Sequence, residues 1–147
     1  MSFASTAAVL SSIVARIEAL TPSEIAGHDD AFRATAAINA LITSGQRAVL
    51  VEGSAGIRKV GGNRNCNEWL TQINITQFYN DVPTEDGAQT VMQRAIQDCE
   101  DILADLYTWA TAEPGIYGLE ADLATPQDNG DGELQITRTI RVAFART

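Results

Sequence analysis

The segment Glu133–Ala145 alternates with a period of two. Leu134, Ile136, Ile140, Val142 and Phe144 share one face, broken only by Arg138, while Gln135, Thr137, Thr139 and Arg141 share the other. Such a period belongs to a β-strand with one face against a core. A strand of that kind must be paired and covered, so the rest of the chain has to supply both neighbours and a packing layer.

The covering layer is legible upstream. In the run leading to Ala112, Ala88, Val91, Met92, Ala95, Ile96, Cys99, Ile102, Leu103, Leu106 and Trp109 recur at helical spacing. Thr84 is an expected N-cap, with Glu85 and Asp86 placed favourably against the helix dipole, and Glu113-Pro114-Gly115 is the stop. Asp98, Asp101 and Asp105, with Arg94 one turn earlier, are expected on the solvent side of this helix rather than around a divalent cation.

Paired strands are also expected. Trp69, Thr71, Ile73 and Ile75 alternate with Leu70, Gln72, Asn74 and Thr76 within Glu68–Tyr79, and Arg47–Glu52 carries the short apolar run Ala48-Val49-Leu50-Val51. Tyr117, Leu119, Ala121 and Leu123 suggest the first strand of a closing hairpin, with Thr125–Gly132 as its turn. Leu10, Ile13, Val14, Ile17 and Leu20 predict an N-terminal helix capped by Ser5 or Thr6. Thr21-Pro22-Ser23-Glu24 resembles a capping box, Gly27–Asp30 a polar loop, and alanine-rich Phe32–Ile42 an irregular or partly helical stretch.

These elements predict one domain over 1–147. Its fold class is α+β: a mixed or antiparallel sheet, packed by an N-terminal helix and one long helix, closing on a C-terminal hairpin. A chain of 147 residues can bury roughly two-thirds of its unfolded surface. Cys66 and Cys99 form no C-x-x-C pair, and two free thiols are expected, with a disulfide as the alternative. The N-terminal region lacks a positive leader, and no apolar run approaches ~18 residues, so neither export nor membrane insertion is expected.

A formal charge of −9 argues against general nucleic-acid binding. The bases are not spread evenly. Gly53–Asn67 reads as a long flexible loop or the tip of an extended hairpin, and Arg58, Lys59 and Arg64 lie there with no acid between Ser54 and Asn67. A basic loop on an acidic body either contacts the acidic face of another copy or partner, or is simply solvated. Candidate protein-interface residues are Arg58, Lys59, Arg64, Asn65, Arg138 and Arg141.

Motifs for chemistry fail their tests. Asp128-Asn129-Gly130-Asp131-Gly132-Glu133 does not keep the EF-hand register, because placing Gly132 at the sixth position puts Arg138 at the twelfth. Gly53–Lys59 matches neither phosphate-loop pattern, and His28 is the sole histidine. No nucleophile has a local signature, so no enzyme, cofactor or metal is expected.

The order of elements resembles the tail terminator (minor tail U-like, tail completion) proteins of long-tailed bacteriophages. The matching pieces are the helix with Val9-Leu10 and Ile13-Val14, the strand Ala48–Val51, the loop before Trp69–Thr76, Asp81-Val82-Pro83 with the long helix, and the hairpin ending Leu134–Phe144. The resemblance implies a structural virion protein that is assembled in the bacterial host cytoplasm and forms a hexameric ring. That ring caps the tail tube, halts its polymerisation and meets the head–tail connector or neck protein, with genome DNA passing through its lumen. It implies no catalytic residues. Another neck or head–tail joining protein is the nearest alternative, and a small cellular ligand-binding domain a more distant one.

Overall fold

The computed structural model describes residues 2–20, 32–34, 47–59, 67–79, 87–130 and 133–147. In chain order these form α1 (Thr6–Ala19), β1 (Phe32–Ala34), β2 (Arg47–Gly53), β3 (Ile57–Arg58), β4 (Glu68–Tyr79), α2 (Gly87–Ala112), β5 (Ile116–Ala121), β6 (Thr125–Gly130) and β7 (Glu133–Ala145). The fold is α+β. A seven-stranded sheet runs β1-β2-β4-β7-β5, with β3 beside β4 and β6 beside β7. All pairs are antiparallel except β1 with β2, so the sheet is mixed.

The two long strands β4 and β7 form its spine, paired from Glu68–Ala145 to Tyr79–Leu134. Residues directly opposite share a face. Trp69, Thr71, Ile73, Ile75, Gln77 and Tyr79 therefore lie beside Phe144, Val142, Ile140, Arg138, Ile136 and Leu134. Val49 and Val51 of β2 join this face opposite Gln77 and Ile75, and Leu119 and Ala121 of β5 join it opposite Val142 and Ile140. The helices complete the core with Val9, Ile13 and Ile17 from α1 and Ile102, Leu106 and Trp109 from α2. On the opposite face the spine carries polar rungs, Thr76–Thr137 at 3.2 Å and Thr139–Asn74 at 2.8 Å.

Ser5 caps α1 by accepting from the amide of Ala8 at 3.2 Å. The close of α2 at Ala112 agrees with the Glu113-Pro114-Gly115 stop. Its start lies beyond what the expected Thr84 cap can be tested on, since 80–86 are outside the described residues, as are Thr21–Glu24, Gly27–Asp30 and 35–46.

Two expectations about the strands need correcting. Phe32–Ala34, expected to be irregular or helical, is an edge strand parallel to β2. Thr125–Gly130, expected as a turn, is a strand, paired with β7 from Thr125–Thr137 to Gly130–Glu133. Its Pro126 is tolerated because the strand lies at the sheet edge, where one side of the backbone needs no ladder bond. Part of Gly53–Asn67 is tied down: Ile57 and Arg58 pair with Leu70 and Trp69, which fits the hairpin alternative.

Gly56 sits at the bend between β2 and β3, where a Cβ would collide with Thr6 Oγ1 at the start of α1. Gly56→Ala is therefore expected to destabilise by about 1–3 kcal/mol through overpacking, read as a lower urea midpoint. An unchanged midpoint would mean that α1 shifts freely against the bend.

Candidate functional site

Two polar constellations stand out among the described residues. The first is buried between α2, β2 and β4. Tyr79 closes β4, and its hydroxyl donates to Asp98 Oδ2 at 2.8 Å. Arg47, which opens β2, donates from NH1 to the same oxygen at 2.7 Å. Gln77 donates from Nε2 to the Tyr79 hydroxyl at 2.7 Å and to the Ala95 carbonyl at 3.3 Å. Arg47, Gln77, Tyr79, Arg94 and Asp98 are each no more than 2% exposed.

This overturns the solvent-side reading of the helix carboxylates. Asp98 lies inside the protein, and Asp105 is bridged to Arg16 of α1 by two hydrogen bonds at 2.8 and 3.0 Å. Asp101, hydrogen-bonded by Gln97 at 2.9 Å, and Asp105 both stay partly exposed, so the correction falls on Asp98. Burial, then the neighbouring Asp98 carboxylate, hold the Tyr79 phenol well above the usual tyrosine range, so it stays a proton donor. A buried tyrosine that keeps its proton at neutral pH is suited to fastening α2 across β2 and β4.

A pH dependence follows. A raised folded-state value stabilises the protein fully below the free tyrosine value of 10.0 and less as pH rises above it. Tyr79→Phe is expected to cost about 1–3 kcal/mol at neutral pH, because Asp98 loses a buried donor. The gap from wild type should shrink by up to about 1.4 kcal/mol per pH unit above the free tyrosine value. Urea midpoints at neutral pH and near pH 11 test this; a gap that does not narrow would remove Tyr79 as its source.

The second constellation lies at the opposite end of β4 and is exposed. The amide of Lys59 donates to the Glu68 carbonyl at 2.8 Å, and that of Arg146 to the Asn67 carbonyl at 2.9 Å. These bonds draw β3, the start of β4 and the end of β7 together. Arg58 lies across from Trp69, and the Arg146 guanidinium stacks 4.4 Å above the Trp69 ring. Lys59 Nζ stands 3.5 Å from Glu68 Oε1, with 59% of the lysine side chain exposed, a pair worth under about 1 kcal/mol. Arg58 and Lys59 are exposed and Arg146 partly so.

The candidate interface residues thus separate. Arg58 and Lys59 come together at this basic end. Arg64 and Asn65 lie outside the described residues. Arg138 is turned toward α2, beside Ile75, Gln77, Cys99 and Ile102, with Nε and NH1 buried and without a hydrogen-bond partner. It belongs to the covered face of the sheet and not to an outer surface. Arg141 is on the other face, held by Asp122 at 2.8 and 3.1 Å and by Glu120 at 3.7 Å. That contact pulls the Asp122 carboxyl below its usual range.

Sequence reasoning missed Arg146, Trp69 and the buried network. Arg146 could not be placed without the β4–β7 register. Asp98 left only a weak signal: at 100° per residue it lies about 80° from the centre of the apolar stripe, as far out as Ile96 on the other side. Cys99 is a free, buried thiol, raised by desolvation. Among the described residues no group of three or more side chains could hold a metal ion, and no helix is long and apolar enough to cross a membrane. No protein-family model matches the chain, and neither does any curated protein.

Proposed function

We propose that this chain is a tail-terminator-like ring subunit of long-tailed bacteriophages, which caps the tail tube and joins it to the neck. The observation that carries the reading is the order of parts around the spine. An N-terminal helix and one long helix cover a single face, and an arm from β2 through β3 returns into β4. In that reading the sheet and helices are the frame, and the basic end is a contact element for another copy or for the tube. The activity is binding, with no bond made or broken.

Purified protein mixed with tail tubes tests this by electron microscopy. The expected result is a ring of the protein at one end of each tube and an arrest of tube growth. A chain that stays monomeric at high concentration and ignores tubes would overturn the proposal. Binding to portal–adaptor complexes in place of tubes would move the protein to the neck as an adaptor or stopper. Replacing Arg58, Lys59 and Arg64 together by serine is expected to spare folding and weaken assembly. Normal rings from that variant would remove the basic residues from the contact.

A further inference from the structure

The sheet has two open edges at the end where β4 begins. There its strand order is β3-β4-β7-β5, and among the described residues no further strand pairs with the outer side of β3 or of β5. β3 runs against β4, β4 against β7 and β7 against β5, so β3 and β5 run in opposite directions. Laid side by side in one continued sheet, β5 of one copy and β3 of the next are antiparallel, the commoner pairing. β5 carries neither proline nor lysine to block such an addition, and Glu120 is its one charge. Its bulge falls at Ile116 and Gly118, clear of Leu119–Ala121.

Hydrogen-bond phase and side-chain faces both fit. Along an antiparallel strand, successive residues turn their amide and carbonyl alternately toward the partner and away from it. Lys59 donates to Glu68 and so faces β4, which leaves the backbone groups of Arg58 turned outward. Asp122 donates to Thr139 and so faces β7, which leaves those of Leu119 and Ala121 turned outward. Arg58 can therefore exchange backbone bonds with either Leu119 or Ala121 of a neighbour. Charge separates the two registers. With Arg58 opposite Ala121, Lys59 stands opposite Glu120, in the position where Cα atoms come closest, about 4.5 Å. With Arg58 opposite Leu119, Ile57 would stand against the Glu120 carboxylate.

Each edge carries both signs, with Arg58, Lys59, Glu68 and Arg146 at one and Glu113, Glu120, Asp122 and Arg141 at the other. Net charge does not choose the fit; the loosely held charges do. Lys59, with 59% of its side chain exposed, meets Glu68 at 3.5 Å. Glu120, 80% exposed, meets Arg141 at 3.7 Å, and the Arg141 guanidinium is itself held by two shorter bonds to Asp122. Lys59, across from Glu68, and Glu120, across from Arg141, lie on the sheet face that the helices leave open. The same register sets Ile57, 64% exposed, opposite Asp122 and one residue from Leu123, 97% exposed. The two most exposed large apolar side chains among the described residues thus come to one rim.

We infer that β5 of one copy of this chain pairs edge to edge with β3 of a second copy, Arg58 opposite Ala121 and Lys59 opposite Glu120. The inference rests on the ring reading and names the strands that meet. Such a contact is heterologous, and repeated through identical subunits it either closes into a ring or runs on as a filament. Ile57–Lys59 against Glu120–Asp122 is a short pairing, and copies carrying −9 each repel at long range. Two copies alone are held weakly; a closed ring, in which every subunit uses both edges, is held better.

The test is disulfide trapping on the full chain, run with and without tail tubes. The double variant Lys59→Cys, Glu120→Cys, oxidised with diamide, is expected to give a ladder of covalent multimers on a non-reducing gel that collapses to monomer with dithiothreitol. Each single variant is expected to give no ladder, which also controls for Cys66 and Cys99. Charge reversal supplies a second measurement. Lys59→Glu and Glu120→Lys should each raise the half-assembly concentration about fivefold, since like charges then stand directly opposite. An equal mixture of the two should recover wild-type assembly, a rescue that a folding defect could not produce. Rings that form without the ladder, or that ignore both reversals, would overturn the inference while leaving the ring reading standing. Cross-linking of Glu120→Cys alone would show β5 paired with itself and overturn it too. Wild-type protein that neither assembles nor caps tubes would overturn both.

Discussion

Asp98→Ala is expected to destabilise the protein by about 3–5 kcal/mol, because it leaves the Arg47 guanidinium buried without this carboxylate. Asp98 also receives the Tyr79 hydroxyl, so two donors lose one acceptor at once. A loss of that size corresponds to a fall of roughly 10–15 °C in thermal midpoint for a chain of this length. The control is on the same helix. Asp105, seven residues later, pairs with Arg16 where the arginine side chain is 40% exposed, and its removal should cost less than about 1 kcal/mol. Asp98→Asn keeps the shape and one acceptor, and should fall between the two. Calorimetry of the three variants measures the ranking. Equal losses for Asp98→Ala and Asp105→Ala would show that burial does not set the worth of the pair.

The contrast between these two aspartates also marks where sequence reading stopped. The alternation in Glu133–Ala145 identified both the strand and its buried face, because a period of two survives wherever one side meets a core. The apolar stripe from Val91 to Trp109 placed the long helix for the same kind of reason. Charge was the point of failure. A carboxylate near the stripe is ambiguous from spacing alone, since its partner, Arg47, is 51 positions away in sequence. Edge elements failed for a different cause. Phe32–Ala34 and Thr125–Gly130 take strand form from the neighbour that pairs them, and Ala34, Pro126 and Gly130 have little propensity of their own for it. The basic end was half legible: Arg58 and Lys59 stood out by composition, whereas Arg146 and Trp69 joined them only through the β4–β7 register.

Phe144→Ala is the second large effect expected, about 3–5 kcal/mol, since it removes a fully buried aromatic ring from the core. Phe144 lies across from Trp69 on one side and Ile116 on the other. Its ring meets Phe3 edge-on at 6.2 Å, and Phe3 in turn meets Trp109 at 6.4 Å. The N-terminal segment is held to this corner by few backbone bonds. The Phe3 amide donates to the Ala145 carbonyl at 2.9 Å, and the Thr147 amide donates to the Phe3 carbonyl at 3.0 Å. Losing the Phe144 ring should therefore do more than lower the midpoint. Amide hydrogen exchange at Phe3, Lys59 and Arg146 is expected to rise before global unfolding, because the bonds that align the basic end lose the ring beneath them. Leu134→Ala at the far end of the same strand provides the comparison, with a core loss of about 2–5 kcal/mol and no local change at those three amides. If the Phe144 variant is destabilised while exchange at Phe3, Lys59 and Arg146 stays as in the wild type, the basic end is held by its own strand pairing. If exchange rises and assembly weakens at temperatures where the variant remains folded, the contact surface and the core beneath it are one cooperative unit.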